Sequence, residues 1–214
     1  MRILSITAQK PNSTGSGVYL TELVKEYALL GHEQAVVAGV YREDKVELPD
    51  GVDFYPVYFC EKGLPYPIVG MSDEMPYIST KYCEMSPEMV EQFRSSFMSV
   101  IERAVEELQP ELILCHHLYL LTALVREHFP ERKVYGFCHN TDLRQMQKTD
   151  LERAFIRAQI GRLDHIFVPQ RAQEEGVLAL YPVSKEKITR VGMGYNDQIF
   201  HLADGSCNKE GVTS

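Results

Sequence analysis

The chain opens with the sequence MRILSITAQKPNSTGSGVYLTELVKEYALLGHEQAVVAGV (residues 1–40). An apolar run over 3–7 precedes a loop rich in proline, glycine and serine, and an amphipathic segment then ends at Gly31-His32. A second apolar run covers 35–40. This order predicts a strand, a glycine loop, a helix and a second strand. Such a loop leaves backbone N–H groups free at a helix N-terminus, so it predicts a site for a phosphate-bearing ligand.

The composition is that of an ordinary soluble globular protein. The 214 residues are 44% hydrophobic and 24% charged, which suits one large domain or two small ones. The net charge of −8 argues against a nucleic-acid partner. The sequence contains no run of about 18 apolar residues, so no membrane span is predicted. The N-terminus is interpreted as a core strand rather than a signal peptide.

The cysteines indicate a reducing compartment. There are five of them, widely spaced and without a C-x-x-C pair: Cys60, Cys83, Cys115, Cys138 and Cys207. An odd count at wide spacing favours free thiols over disulfides or zinc, and this predicts a cytoplasmic protein.

Strands and helices alternate along the rest of the chain. The apolar runs predict strands over 2–7, 34–40, 52–59, 111–115, 132–138, 164–168 and 187–192. The helical stripes predict helices over 17–30, 87–108, 118–128, 144–160 and 170–181. Such alternation predicts an α/β fold, a Rossmann-like three-layer α/β/α domain with a mainly parallel sheet.

Two segments fall outside this alternation. Residues 61–85 are rich in proline and glycine, and they are interpreted either as an insertion near the ligand site or as a variable surface excursion. Residues 201–214 are polar and are interpreted as a linker or tail after a domain that covers 1–200.

The glycine loop is the first candidate site. Gly15 and Gly17 allow a close backbone approach and a positive φ, and Ser16 can both cap the helix and donate to a ligand oxygen. A tight turn without a ligand explains the same residues. The P-loop pattern G-x-x-x-x-G-K-[ST] is absent, and Leu20 and Thr21 occupy the region where the dinucleotide pattern has its third glycine.

Two polar clusters follow later strands, where parallel sheets bind their ligands. His139, Asn140, Thr141 and Asp142 come after the strand predicted over 132–138 and offer several hydrogen-bonding groups. A helix cap beside a satisfied histidine is the alternative.

His116-His117 and Tyr119 come after the strand that ends at Cys115. Adjacent histidines of an extended segment point opposite ways, so no metal site is predicted there.

A set of basic residues follows these clusters: Arg144, Lys148, Arg153, Arg157 and Arg162. The set is suited to an anionic acceptor, and a solvated face paired with Asp150 and Glu152 is the alternative.

Taken in order, these motifs resemble the N-terminal domain of retaining glycosyltransferases of the GT-B fold. The similarity is to the family 4-like group that includes phosphatidylinositol mannosyltransferases and sucrose-phosphate synthases, and it covers about 1–200. It rests on Met1-Arg2-Ile3-Leu4, Thr14-Gly15-Ser16-Gly17-Val18, Leu30-Gly31-His32-Glu33, His116, His139-Asn140-Thr141-Asp142 and the linker-like 187–200.

The resemblance implies roles for these residues. Gly15, Ser16 and Gly17 would reach the donor diphosphate, and His139 would contact the donor sugar as the catalytic histidine. The acceptor would be held by His116, Tyr119, Asn140, Thr141, Asp142 and Arg144. The donor would be a UDP- or GDP-linked sugar, with no metal and no cofactor.

The resemblance also implies an activity. A hexosyltransferase-like enzyme would move the sugar to a hydroxyl of a small molecule, glycan or lipid, with retention and with peripheral membrane contact as an option. A C-terminal donor-binding domain would follow, and residues 1–214 alone would be inactive. Two alternatives stay open, a sugar- or anion-binding or regulatory module without catalysis, and a dinucleotide enzyme.

Overall fold

The structure is a computed structural model that describes residues 1–194. The linker-like residues 195–200, the tail predicted over 201–214 and Cys207 lie outside this range. The described part contains nine strands and six α-helices. In chain order they are β1 (Arg2–Thr7), α1 (Gly15–Leu29), β2 (Glu33–Val40), β3 (Val52–Tyr58), β4 (Val69–Gly70), β5 (Thr80–Lys81), α2 (Pro87–Leu108), β6 (Leu112–His116), α3 (Leu120–His128), β7 (Val134–Phe137), α4 (Thr141–Lys148), α5 (Arg153–Ile160), β8 (His165–Val168), α6 (Arg171–Leu180) and β9 (Ile188–Arg190).

Seven of the strands form one parallel sheet in the order β3-β2-β1-β6-β7-β8-β9. The strand order reverses between β1 and β6, where Ile3 pairs with Leu112 and Ile6 with Cys115. In open parallel sheets, ligands bind beyond the carboxyl ends of the strands at such a reversal. The topology therefore indicates a ligand site at the loops after β1, β6 and β7.

Helices cover both faces of the sheet. On one face, Leu4 and Ile6 belong to a large core with Phe93, Phe97 and Ile101 of α2. On the other face, Ile3, Leu114 and Phe137 pack together with partly buried Tyr19 and Leu23 of α1. Because side chains alternate along a strand, β1, β6 and β7 each contribute side chains to both cores. The predicted three-layer Rossmann-like α/β fold is confirmed.

The seven predicted strands are confirmed, with ends that shift by a few residues. The helix predicted over 144–160 is wrong, because α4 ends at Lys148 and α5 begins at Arg153. Between them Glu152 adopts a left-handed conformation with φ 45°. The continuous apolar spacing did not reveal this break.

Residues 61–85 pack against the carboxyl edge of the sheet. The Gln145 side chain of α4 donates to the Met71 carbonyl at 3.0 Å, and Lys148 forms an ion pair with Asp73. Tyr41, just after β2, donates to the Ile78 carbonyl at 2.6 Å. The segment holds β4 and β5, which pair in parallel, and it lies beside the loops that follow β2 and β7.

Candidate functional site

The N-terminus of α1 is built by Thr14, which is its N-cap. The Thr14 hydroxyl accepts from the Gly17 N–H at 3.1 Å, and its carbonyl accepts from the Val18 N–H at 2.8 Å. The Gly15 and Ser16 N–H groups have no carbonyl four residues back within the helix, and among residues 1–194 neither has a hydrogen-bond partner, so both can donate to a ligand. Capping by Ser16 was predicted wrongly, since its hydroxyl lies 3.1 Å from that of Thr14 within the first turn.

The two glycines of this turn serve different purposes. A Cβ on Gly17 would lie 2.6 Å from the Lys10 carbonyl oxygen and 3.1 Å from the Asn12 nitrogen, so only glycine lets α1 approach this loop. A Cβ on Gly15 would meet nothing within 4 Å. The prediction of a close approach holds for Gly17, whereas neither glycine has a positive φ.

Three histidines meet at the ends of β6 and β7. Nδ1 of His116 lies 3.1 Å from Nε2 of His139, and the ring centroids of His117 and His139 are 4.8 Å apart. The prediction that His116 and His117 point opposite ways is wrong. The backbone leaves the extended conformation at His117, whose φ is 71°, and this turn brings both rings toward His139.

Burial keeps these imidazoles uncharged. It lowers the pKa of His116 and of His117 well below the ordinary value, and a charge on His139 would lower each further. Burial lowers the pKa of His139 to about 4. At neutral pH each ring is therefore neutral, with one nitrogen that donates and one that accepts.

An aromatic wall surrounds His139. Tyr19, four residues after Gly15, meets the rings of His139, Phe137 and His116 edge-on at centroid distances of 5.5, 5.7 and 6.3 Å. A cleft opens beside these residues, and its lining is formed by Tyr19, Phe137, Cys138, His139, Phe167, Val168, Pro169, Val191, Gly192 and Met193.

Tyr19 was not among the residues predicted for the site. Its position one turn after the glycines was the available signal, because residues four apart lie on the same helix face.

Asp142 lies behind the cleft, not in it. Its carboxylate is fully buried and accepts from the backbone N–H groups of Leu118 at 2.7 Å, His139 at 3.2 Å and Leu143 at 3.0 Å. Burial raises the pKa of this carboxyl, and the three N–H groups act against that rise. The expectation that Asp142 binds an acceptor is thus corrected: its oxygens join the loops after β6 and β7.

The other predicted acceptor residues divide into two groups. Tyr119 is 1% exposed and packs on Tyr82 at a centroid distance of 4.7 Å, so its ring belongs to the core. His116 is 3% exposed. Asn140 and Thr141 stay partly accessible at the start of α4, and the Asn140 side chain accepts from Gln173 at 3.3 Å.

Most of the basic set is held by structural contacts. Arg153 pairs with Asp150 at 3.1 Å, Arg157 donates to the Leu180 carbonyl, and Lys148 pairs with Asp73. Arg162 donates to Gln159 at 2.9 Å. Arg144 is exposed, and within residues 1–194 its guanidinium has no hydrogen-bond or ion-pair partner. Arg144 is thus the member of the set that is available to an anion.

Two further properties apply to the described residues alone. Within 1–194, no group of three or more histidine, cysteine, aspartate or glutamate side chains is arranged to hold a metal ion. Over the same residues, no helix has both the length and the apolar character that a membrane crossing needs.

The sheet order, the reversal beside β1 and the loops at its carboxyl edge define a Rossmann-like α/β domain. The family model of Glycosyltransferase Family 4 matches residues 13–198. The chain belongs to this family. No curated protein matches the chain significantly.

Solved structures share this fold at low sequence identity. Sucrose-phosphate synthase from Thermosynechococcus elongatus aligns with a TM-score of 0.69 and 14% identity over 95% of this chain and 50% of its own. HepE from Anabaena in complex with UDP and glucose aligns with a TM-score of 0.55 and 14% identity, over 93% of this chain and 46% of its own. UDP-GlcNAc 2-epimerase from Methanocaldococcus jannaschii aligns with a TM-score of 0.54 and 11% identity, over 90% of this chain and 45% of its own. The chain spans about half the length of each of these structures.

Proposed function

We propose that this chain is the acceptor-side domain of a retaining glycosyltransferase, which moves a sugar from a UDP- or GDP-linked donor to an acceptor hydroxyl. The observation that carries the proposal is the shared border of one cleft. Tyr19, in the first turns of α1, contacts His139, which follows β7, and both line this cleft. Tyr19 thereby joins the N-terminal turns of α1 to His139 at the border of this cleft.

The helix N-terminus suits the leaving group of this reaction. Negative charge builds on the donor diphosphate as the bond to the sugar breaks. Backbone N–H groups that already point at that charge stabilise it without reorganisation. The N–H groups of Gly15 and Ser16 are suited to this, while Gly17 permits the close packing of the turn.

His139 supplies the contact with the donor sugar. Its imidazole is neutral at physiological pH, because burial lowers its pKa to about 4. It therefore presents a hydrogen-bonding nitrogen to a sugar hydroxyl rather than a positive charge. For the acceptor we propose Asn140, Thr141 and the exposed Arg144, the last for an anionic group.

Several wider features belong to this proposal. The full protein would add a C-terminal domain that binds most of the nucleotide, because the chain spans about half of the HepE structure, which contains UDP and glucose. The transferred group would be a hexose, and the acceptor a small molecule, a glycan or a lipid reached by peripheral membrane contact. The enzyme would work in the cytoplasm without a resident metal or cofactor, so EDTA would leave its rate unchanged.

The proposal is tested by a donor screen on the full-length protein. UDP- and GDP-linked hexoses are incubated with candidate acceptors, and products are identified by mass. We expect transfer from one donor class, and we expect His139→Ala to lower kcat/KM by about 100-fold or more. His165→Ala is the matched control, since this imidazole bonds Thr189 at 2.8 Å and is absent from the cleft lining. Donor binding without transfer would favour the non-catalytic module instead.

A further inference from the structure

His116 is the last residue of β6, and it is enclosed by rings. Its imidazole stacks on Phe137 of the neighbouring strand at a centroid distance of 5.0 Å, and it lies edge to edge with the nearly parallel ring of His139, with centroids 5.3 Å apart. His116 and Phe137 are register partners in the sheet, so the backbone fixes their contact. With 3% of its surface exposed, His116 has no face left for a ligand.

The only polar contact of the His116 ring, among the described residues, is with His139. Its Nδ1 lies 3.1 Å from Nε2 of His139, which is hydrogen-bond distance for two imidazole nitrogens. One nitrogen carries the hydrogen and the other accepts it. Because both rings are neutral, each carries one N–H hydrogen, and one of these two hydrogens lies in the bond between the rings.

The bond decides which His139 nitrogen can meet a ligand. Nε2 and Nδ1 lie on different sides of an imidazole ring, and Nε2 is engaged with His116. Within residues 1–194 Nδ1 has no hydrogen-bond partner. His139 lines the cleft, so its unengaged nitrogen is the one left for a polar group there.

We propose that His116 is a positioning residue, which engages Nε2 of His139 and so leaves Nδ1 to contact the sugar. This role rests on the proposed function for its ligand, but the pairing itself is a property of the protein without substrate. It also replaces the acceptor-binding role that the family resemblance implied for His116.

The test uses nitrogen NMR of the histidine rings in the 15N-labelled full chain without substrate. The variant His116→Phe keeps a stacked aromatic ring and removes Nδ1. We expect both His139 ring nitrogens to change chemical shift in this variant. In His116→Asn, whose amide can overlie the position of Nδ1, we expect shifts close to wild type, since an amide can donate or accept. His165→Phe is the matched control, because it removes an imidazole of the same sheet that bonds Thr189.

Two results would overturn the proposal. One is an unchanged pair of His139 nitrogen shifts in folded His116→Phe. The other needs no variant: wild-type His139 nitrogen shifts that show averaging between both tautomers, as for a histidine side chain in water. With a donor from the screen, His116→Phe should lower kcat/KM on the order of 10- to 100-fold, with rescue by His116→Asn. A screen that finds no donor would defeat the proposed function and leave the NMR result intact.

Discussion

At the scale of single residues, the burial of the neutral His116 and His117 imidazoles makes the stability of the fold depend on pH. A buried ring that stays neutral has given up the proton that it would bind in water at mildly acidic pH. His116 and His117 are both 3% exposed, and their pKa values lie well below 6.5 in the folded protein. The folded state therefore binds fewer protons than the unfolded state as the medium becomes acidic.

We expect the free energy of unfolding to fall as pH decreases below about 6.5, where the unfolded histidines take up protons. Each buried histidine contributes up to about 1.4 kcal/mol per pH unit in this window, and the full stability is present above it. Urea unfolding at pH 7.5, 6.0 and 5.0 measures the slope. His116→Phe should make the slope shallower, and a free energy independent of pH over this range would contradict the expectation.

Two glycines two residues apart provide a sharp comparison. Gly17→Ala places a Cβ 2.6 Å from the Lys10 carbonyl, which is backbone and cannot move aside cheaply. We expect a loss of about 1–3 kcal/mol in thermal or urea unfolding. Gly15→Ala meets open space and should change stability by less than about 0.5 kcal/mol. Equal effects of the two substitutions would show that the turn packs differently.

At the scale of elements, one buried carboxylate joins the loops that form the site. Asp142 of α4 accepts from Leu118 N–H, before α3, and from His139 N–H, after β7. The Cys138 Sγ donates to Oδ1 of Asp142 at 3.5 Å. The position of His139 thus depends on a residue that is fully buried and absent from the cleft lining.

Asp142→Asn keeps the size of this side chain but replaces one acceptor oxygen with a donating NH₂ group. That group would face backbone N–H donors in a buried position, so we expect a loss of about 2–4 kcal/mol. Chemical denaturation followed by circular dichroism measures it. Asp150→Asn is the control, because the Asp150 side chain is 94% exposed and its pair with Arg153 contributes little. A neutral Asp142→Asn would contradict the structural role.

The elements also show what the sequence could predict. Apolar runs gave the strands of the sheet, because a strand buried on both faces is apolar throughout. The helix predicted over 87–108 has the bounds of α2, which Pro87 begins and the Ser86 hydroxyl caps by accepting from Met89 N–H at 3.2 Å. The break between α4 and α5 was missed, because the left-handed residue there is Glu152, which carries no glycine-like signal.

The candidate site was predictable as a location and less so as a geometry. Gly15, His116 and His139 were predicted as site residues because they follow strand ends, and these ends lie at one edge of a parallel sheet. The pairing of His116 with His139 depends on contacts between separate strands. Local periodicity holds no information on such contacts, and the turn at His117 has no sequence mark either.

At the scale of the whole molecule, the proposed function makes this chain one of two domains that would hold the substrates. The alignment with sucrose-phosphate synthase covers 95% of this chain and 50% of that structure. Because catalysis needs donor and acceptor held together, we expect residues 1–214 alone to show no detectable transfer under conditions where a full-length protein does. Product mass spectrometry at matched concentrations measures this, and robust transfer by the short chain would contradict it.

The place of β1 in the middle of the sheet has a consequence for synthesis. β1 pairs with β2 on one side and with β6 on the other, yet β6 begins only at Leu112. A ribosome adds about 5–20 residues per second, so roughly 3–10 s pass between the end of β3 at Tyr58 and the arrival of β6. During that interval the nascent chain exposes an apolar strand edge, which is the state that chaperones protect from association with other chains.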